Sequence, residues 1–405
     1  MKMLTVVIDG TNNIPGQRDD RIAISDIHED DIWMFDPNIA TNALLIWRWM
    51  SGEGISQAIK HKSQKYRYYG NIRSIQISNI VGEVIYFNGV GASGNSKIVQ
   101  QITGSGTSSR IRDAYRFLAE RHDEGTKISL FGFSRGAYAV RSLAGLIEHV
   151  GLPKNKRVLP EEVVDELFAA YRGSAPYRGE LMDEFQKCSV DFLGAFDTVG
   201  SLALGDTANA FHKISPKNIK CFRHALALDE RRRSFKPDFF ENHDNKQDVE
   251  EVWFAGAHSN IGGGYSLPKL SSITLIWMIR EFEAYFSVGD FQISKHPSHS
   301  QEAAGTGPED DPDKKERRSY IRDSYDELLG VVGKIIDFSI GHSHRTIPDE
   351  GWHKFHPSVY EWLQKGDYCP IAKTNNGNMV TIDVANRRLC SAEDWPLDEG
   401  EGLED

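Results

Sequence analysis

The sequence has few cysteines, and none of them forms a short motif. Among its 405 residues there are only four, and Cys188, Cys221, Cys369 and Cys390 lie far apart without a CxxC pair. This spacing argues against a zinc site and against a disulfide framework. A reducing compartment is therefore the default expectation.

Long apolar runs and an excess of positive charge are also missing. No apolar stretch approaches the roughly 20 residues of a membrane-spanning helix, and Asp9 interrupts the apolar N-terminal run before it could serve as a signal peptide. We therefore expect a soluble protein that is cytoplasmic or exported by a Sec-independent route. The formal net charge of -11 argues against unaided nucleic-acid binding, which depends on clustered Lys and Arg.

The sequence does contain a series of short apolar runs that end in small or polar residues. These runs are LTVVIDG, EVIYFNGVG, KISLFGFS, SVDFLGAFDT and EEVWFAGAHS, and helical stretches such as IRDAYRFLAERHDEG and PEEVVDELFAAY lie between them. Buried strands that alternate with helices predict an α/β fold with a doubly wound, mostly parallel sheet. Ligands of such sheets collect at the carboxyl ends of the strands.

The segment GFSRG, residues 132–136, fits the G-x-S-x-G nucleophile elbow and lies between a predicted strand and a predicted helix. The pattern predicts that Ser134 is a nucleophile and that the sheet is α/β-hydrolase-like. Gly132 and Gly136 are expected where a Cβ would collide with a neighbouring strand or helix. An ordinary strand-to-helix turn with an exposed serine is the alternative.

A serine hydroxyl needs a histidine base and usually a carboxylate that orients the base. Asp197 follows the fourth apolar run and His258 follows the fifth. The order Ser134, Asp197, His258 is that of α/β-hydrolases. His356 is the rival base, because the histidine of many hydrolases comes late in the chain on a mobile loop. The alternatives for Asp197 and His258 are a cap or turn former and a structural histidine.

The first apolar run ends in Asp9, Gly10 and Thr11, and two chemistries use such a turn. Phosphohydrolases with an aspartate nucleophile carry D-x-D-G-T, but Val7 stands at the nucleophile position here, and an aliphatic side chain cannot attack phosphorus. The serine-hydrolase interpretation places an oxyanion hole at the backbone N–H groups near Gly10 or Thr11 and at that of Arg135. Asp9 then shapes the loop, or it is an ordinary turn residue.

Two patterns, a basic stretch and a group of histidines, are interpreted as surface features rather than as binding sites. ERRRSF, residues 230–235, is interpreted as a solvated basic patch on a helix. The histidines of the C-terminal third, His342, His344, His353 and His356, lack the H-E-x-x-H pattern. No metal site and no cofactor are therefore predicted.

Several motifs carry a resemblance to a known family. They are IDGTNN, YFNGVG, GFSRGAYAVRSLAGLI, FDTVG, HALALDERRRSF, WFAGAHSNIGGGY and HPSV, and they span roughly residues 5 to 360. Together they resemble the DUF2235 family of type VI secretion phospholipase-like α/β-hydrolases, which includes the Tle1-type lipase effectors. The resemblance implies esterase chemistry, with phospholipids as the substrate class. It maps the family's serine, D-T-V acid and H-S-D-x-G-G-G-Y histidine onto Ser134, Asp197 and His258. Asn260 stands here in place of the Asp of that last pattern.

The sequence thus predicts a serine esterase or lipase, most specifically a phospholipase, that works through a Ser-His-Asp triad and an acyl-enzyme. Residues 1–290 are predicted to form the catalytic domain, with helical insertions at about 14–80 and 150–187. Residues 291–405 are predicted to form a C-terminal extension that packs on it, with a flexible charged loop at about 303–318. The expected partner is a lipid or another ester, with transient contact at a membrane surface. A non-catalytic hydrolase-fold binding protein and an Asp9-dependent phosphohydrolase are the alternatives.

Overall fold

The computed structural model describes residues 1–10, 40–52, 70–77, 79–89, 105–173, 182–200, 215–232, 235–241, 246–265, 269–288, 345–347 and 354–364, with a few further single positions and short strands. The predicted loop at about 303–318 lies outside these residues, and so does most of the predicted insertion at 14–80. The predicted division into two domains stays a prediction.

The described strands and helices are numbered along the chain. The strands are β1 (Lys2–Ile8), β2 (Trp33–Met34), β3 (Lys60–His61), β4 (Gly70–Ser74), β5 (Val81–Phe87), β6 (Lys127–Phe133), β7 (Leu152–Pro153), β8 (Phe185–Gln186), β9 (Val190–Phe196), β10 (Ile219–Ala227), β11 (Asp248–Phe254), β12 (Thr346–Ile347), β13 (Lys354–Phe355), β14 (Ala372–Thr374), β15 (Met379–Asp383) and β16 (Arg388–Ser391). The helices are α1 (Asn42–Met50), α2 (Ser105–Arg121), α3 (Arg135–Val150), α4 (Glu161–Arg172), α5 (His258–Gly262), α6 (Lys269–Phe286) and α7 (Pro357–Gln364).

The main sheet has the order β13-β11-β10-β9-β6-β1-β5-β4. Its pairs are parallel except for β4, which lies antiparallel to β5 at one edge. The chain runs from β1 to β5 on one side and then returns to place β6 on the other side of β1. This reversal creates a crevice at the carboxyl ends of β1 and β6, which is where doubly wound sheets bind ligands.

The apolar residues of β1 alternate between two cores, one on each face of the sheet. Leu4, Val6 and Ile8 belong to a core with α2, α3 and α4. Met3 and Val7 belong to a second core with α1 and α6. The alternation follows from the period of two in a β-strand. The result is a three-layer α/β/α arrangement, so the predicted α/β fold with a mostly parallel sheet is confirmed.

The described C-terminal residues pack on the outer part of the main sheet. β13 pairs in parallel with β11, and Ile347, Val359 and Leu363 lie in a third apolar core with Leu226 and Trp253. Ile347, β13 and α7 are therefore attached to β10 and β11, the two strands next to the predicted site. No helix in the described part of the chain is long and apolar enough to cross a membrane.

Candidate active site

Ser134 lies in a strained turn between β6 and α3. Its φ of 58° and ψ of -124° are rarely adopted by a residue with a side chain. The Ser134 N–H donates to Phe196 O at 2.9 Å, which fixes the turn to the end of the neighbouring strand β9. The geometry is that of a nucleophile elbow, in which a sharp turn presents the serine above the sheet.

The two glycines of GFSRG are required by close backbone contacts. A Cβ on Gly136 would lie 2.1 Å from Ile8 O and 2.5 Å from Asp9 O. A Cβ on Gly132 would lie 2.5 Å from Gly136 O. All of these distances are far below ordinary van der Waals contact. Only glycine at both positions lets α3 start directly against the end of β1.

Asp197 and His258 form a buried pair beside this elbow. His258 Nδ1 and Asp197 Oδ2 are 2.6 Å apart, and both residues are fully or nearly fully buried. Asp197 follows β9, whose Phe196 is in register with Phe133 of β6. The His258 ring packs against that Phe133, with 4.7 Å between ring centroids. Within the described residues, no hydrogen bond joins Ser134 Oγ to His258.

A second histidine holds the turn in which Asp197 lies. Asp197 has a φ of 39°, and its Oδ1 accepts the N–H of Ala227 at 3.0 Å. The N–H of Thr198 donates to His224 Nε2 at 2.9 Å. Because Nε2 is the acceptor, Nδ1 of His224 carries the hydrogen and donates to Glu251 Oε1 at 2.8 Å. The buried His224–Glu251 pair therefore fixes the backbone directly after Asp197.

The loop after β10 fixes the position of His258. Glu230 Oε2 accepts the His258 N–H at 3.2 Å, and both Glu230 oxygens accept side-chain hydrogen bonds from Arg232 at 2.9 Å. Phe235 presents its ring to the imidazole edge-on, with 4.8 Å between centroids. Residues 230–232 are therefore not helical, and Glu230 and Arg232 pair with each other instead of forming the predicted solvated patch, whereas Arg231 is exposed. Arg233 and Ser234 lie outside the described residues. Glu230 is buried, and Arg232 turns inward because that carboxylate needs a partner.

The charges around the pair favour an ionised acid and a neutral imidazole. Burial by itself would raise the pKa of Asp197, but the charge of Arg345 and the hydrogen bond from His258 outweigh it and lower the pKa. Burial lowers the pKa of His258, and the hydrogen bond to Asp197 opposes this only in part. Asp197 therefore accepts the hydrogen on Nδ1, which leaves Nε2 of His258 as an acceptor at neutral pH.

Asp9 is buried at the end of β1, and its carboxylate accepts hydrogen bonds from Gly10, Thr41 and Tyr86. Its Oδ2 accepts from Thr41 Oγ1 at 2.6 Å and from the Tyr86 hydroxyl at 2.5 Å. Burial and the charge of Asp9 raise the pKa of Tyr86 well above its usual value, so Tyr86 stays protonated. The Gly10 N–H donates to Asp9 Oδ1 at 2.6 Å. One of the predicted oxyanion donors is thus engaged by Asp9, and Thr11 lies outside the described residues.

His356 lies away from this pair. It follows β13 at the edge of the sheet, and its ring stacks on Phe254 with 4.6 Å between centroids. Its Nδ1 is 2.9 Å from Ser358 Oγ. Burial lowers the pKa of His356 to about 4. Of the two candidate bases, only His258 has a described hydrogen bond to Asp197.

Sequence reasoning missed several residues that support the site. Arg345 was not singled out, yet its Nη2 lies 2.6 Å from Asp197 Oδ2. His224 and Glu230 belong to the stretch HALALDE, which carried the family resemblance without an assigned role. Asn260 Oδ1 accepts the Ala257 N–H at 3.0 Å, so this amide closes the turn before His258. In the described residues, no group of three or more His, Cys, Asp or Glu is placed to hold a metal ion.

Comparisons with known proteins show which family the chain belongs to. The family model for "T6SS, Phospholipase effector Tle1-like, catalytic domain" matches residues 2–281. A stretch of 142 residues is 37% identical to the uncharacterized protein YEL023C of Saccharomyces cerevisiae, which corresponds to 31% of this chain and 20% of the yeast protein.

Two solved structures share 18–20% sequence identity with the chain. A crystal structure of an uncharacterized protein from Pseudomonas aeruginosa has a TM-score of 0.38 and 18% identity, over 70% of this chain and 46% of that chain. A Tle1 effector bound to the VgrG spike of the Type 6 secretion system has a TM-score of 0.32 and 20% identity, over 65% of this chain and 51% of that chain. The chain spans about half the length of these two proteins. Because the family model covers well over half of the chain, the protein belongs to the family of the Tle1-like catalytic domain of type VI secretion phospholipase effectors.

Proposed function

We propose that this chain is a serine hydrolase that cleaves carboxylic esters, with phospholipids as its substrate class. The observation that carries the proposal is the buried Asp197–His258 hydrogen bond beside the strained Ser134 elbow. The family match supports lipid-ester chemistry. No metal or organic cofactor is required for this reaction.

The first step forms the acyl-enzyme. Ser134 Oγ attacks the ester carbonyl carbon while its proton passes to Nε2 of His258. The imidazolium that forms is stabilised by the ionised Asp197. When the tetrahedral intermediate collapses, the bond to the leaving alcohol breaks and His258 returns the proton to that alcohol. Rotation of the Ser134 side chain brings Oγ towards His258, and such catalytic hydrogen bonds commonly tighten only when substrate binds.

Water then hydrolyses the acyl-enzyme by the same route in reverse, with His258 as base. In both halves the negative charge on the carbonyl oxygen needs N–H donors. Arg135 is the first residue of α3, and the first N–H groups of a helix point out of its N-terminus. The second donor is Thr11, or Gly10 after its N–H leaves Asp9. Asp9, Gly132 and Gly136 shape this part of the site.

A phospholipid substrate brings the site to a membrane surface, so we propose transient contact with that surface. The type VI effector family is compatible with export by a Sec-independent route. A solved Tle1 effector binds the VgrG spike. For this chain we propose only that it binds a partner of the export system, without specifying which one.

The two alternatives lose support for specific reasons. A binding protein without turnover would tolerate a broken acid-base pair, whereas Asp197 and His258 are joined at 2.6 Å. A phosphohydrolase nucleophile has to reach a phosphate, whereas Asp9 is 1% exposed and both of its oxygens accept hydrogen bonds. An Asp9-dependent enzyme would also need magnesium. In the presence of magnesium, the substitution Asp9→Asn would abolish its activity.

Labelling with a fluorophosphonate probe tests the nucleophile. The native chain should be labelled, Ser134→Ala should not, and the control Ser109→Ala on α2 should behave like the native chain. Ser109 is a suitable control because its hydroxyl only bonds Gly106 O within the same helix. Labelling that persists in Ser134→Ala would refute the assignment.

Hydrolysis of a short-chain ester separates the two candidate bases. We expect His258→Gln to lose at least about 1000-fold in kcat, since removing a triad member costs several orders of magnitude. His356→Gln should retain nearly native turnover. A silent His258→Gln and an inactive His356→Gln would reverse the assignment. Lipid extracts analysed by mass spectrometry after incubation would then identify the ester that is cleaved.

A further inference from the structure

Asp197 has a charged neighbour that comes from the C-terminal part of the chain. Arg345 Nη2 donates to Asp197 Oδ2 at 2.6 Å, and this oxygen also accepts the hydrogen bond from His258. The two side chains are 148 residues apart in sequence and are both almost completely buried. The family model ends at residue 281, so the contact joins the matched region to the C-terminal part of the chain.

The segment that carries Arg345 is firmly attached. The next two residues form β12, which pairs with β14. Ile347 is fully buried in the apolar core that contains Leu226 of β10 and Trp253 of β11. These strands also lead to the loops of Asp229–Glu230 and of His258. Arg345 therefore reaches Asp197 from a backbone that is fixed to the same strands as the rest of the site.

The charges of this cluster balance when Arg345 is included. The groups counted are the carboxylates of Asp197 and Glu230, their guanidinium partners Arg345 and Arg232, and the titrating His258. Asp229 and the His224–Glu251 pair lie outside this set. With a neutral imidazole the net charge is zero. Without Arg345 it would be -1 in a buried site, where charge interactions are weakly screened. The remaining pair would then take up a proton more readily, whichever member holds it.

We propose that Arg345 is a positioning residue for the Asp197–His258 pair, which fixes the carboxylate of Asp197 and opposes protonation of the pair. This inference rests on the function proposed above. It predicts that the C-terminal part of the chain is needed for full activity, although it lies outside the family match. Nε and Nη1 of Arg345 are buried without a hydrogen-bond partner in the described residues, so Nη2 makes the arginine's defined contact.

The test compares Arg345→Met, Arg345→Lys and the control Arg112→Met in the full chain. Arg112 lies on α2, is about one third exposed and pairs with Asp165 of α4, and none of its described contacts involves Ser134, Asp197 or His258. We expect Arg345→Met to lose roughly 10- to 100-fold in kcat/KM at pH 7, because an Asp197 carboxylate without this partner holds the imidazole less accurately, and a misplacement near 1 Å can cost about 100-fold. KM should change little.

The pH profile distinguishes positioning from general support of the fold. In Arg345→Met the acid limb of kcat/KM should move upward by about one pH unit or more, so the loss should shrink as the pH is raised. Arg345→Lys keeps the charge and should keep the limb near its native position. Equal losses in both variants, with an unmoved limb, would overturn the proposal.

A second measurement keeps the two proposals separate. The titration of His258, followed by NMR in chain labelled at histidine, should shift upward in Arg345→Met whether or not an ester is cleaved. An unreactive native chain with this shift present would reject only the esterase function. A reactive native chain with no shift would reject only the role of Arg345. If Arg345→Met does not fold, the Arg345→Lys profile decides: a limb displaced as far as one unit would contradict the charge argument.

Discussion

The substitution Gly136→Ala should disrupt the elbow by a collision that can be calculated. A Cβ at this position would lie 2.1 Å from Ile8 O, whereas ordinary van der Waals contact begins at 3.4 Å. The two backbones must therefore separate by about 1.3 Å, which is the difference between these distances. Ile8 cannot move easily, because it is paired with Phe87 on one side and Gly132 on the other.

The start of α3 must consequently shift, and Ser134 shifts with it. Overpacking of this kind costs about 1–3 kcal/mol in the free energy of unfolding, or a Tm lower by roughly 2–12 °C for a domain of this size. A misplacement near 1 Å can cost about 100-fold in rate. We therefore expect Gly136→Ala to remain folded while it loses about 100-fold in activity.

The assay is ester hydrolysis and fluorophosphonate labelling, each with thermal unfolding of the same sample. Gly173→Ala is the matched control, because Gly173 ends α4 with a φ of -78° and its added Cβ would lie 3.4 Å from Ala169 O. The control should keep native activity and lose no stability. A Gly136→Ala variant with native Tm and native turnover would refute the collision argument and the elbow geometry with it.

Two further predictions concern backbone strain and pH. Ser134→Gly should be more stable than Ser134→Ala by roughly 0.5–2 kcal/mol, because glycine adopts the φ of 58° without strain; equal Tm values in differential scanning calorimetry would contradict this. The pKa of His356 is lowered to about 4, so the unfolded chain binds this proton first, and the stabilising contribution present above pH 6.5 is lost as the pH falls towards 4. Between pH 7 and pH 5 the native chain should lose roughly 1 kcal/mol more in urea unfolding than His356→Gln does, since solvent screens the partly exposed ring, and parallel pH slopes would argue against it.

The fold could be predicted well from sequence because its signals are local. All five apolar runs are strands of the main sheet. Four of them are followed directly by a polar residue, and β11 ends four residues before His258. β10 was not predicted as a strand, since IKCFRHALA carries Lys220, Arg223 and His224 among its apolar residues. In the structure Arg223 pairs with Asp248 and Glu281. Because its partners come from distant elements, a charged residue can occupy a buried position of β10. The apolar–polar alternation of a strand is therefore not visible in this sequence.

The residues of the candidate site also divide into those that a sequence pattern predicts and those that only the structure reveals. Ser134 could be identified because the elbow needs glycine at two fixed offsets, and a requirement of the backbone is visible over five residues. Asp197 and His258 could be proposed because parallel strands end at one edge of the sheet. The choice between His258 and His356 needed the structure, since both follow strands and only their contacts differ.

Arg345 had no local signal at all, and the reason is physical. Its partner is a single oxygen of Asp197 reached across 148 residues, and a side-chain contact of this kind fixes neither a spacing nor a neighbouring residue type. The need for it could nevertheless be inferred from the rest of the site. A carboxylate as deeply buried as Asp197 is costly beside a neutral imidazole alone, and a cation from elsewhere in the chain, here Arg345, lowers this cost. In a predicted triad, a buried carboxylate without an assigned cation therefore indicates that a cationic residue is missing from the prediction, whereas the sequence around that residue gives no such indication.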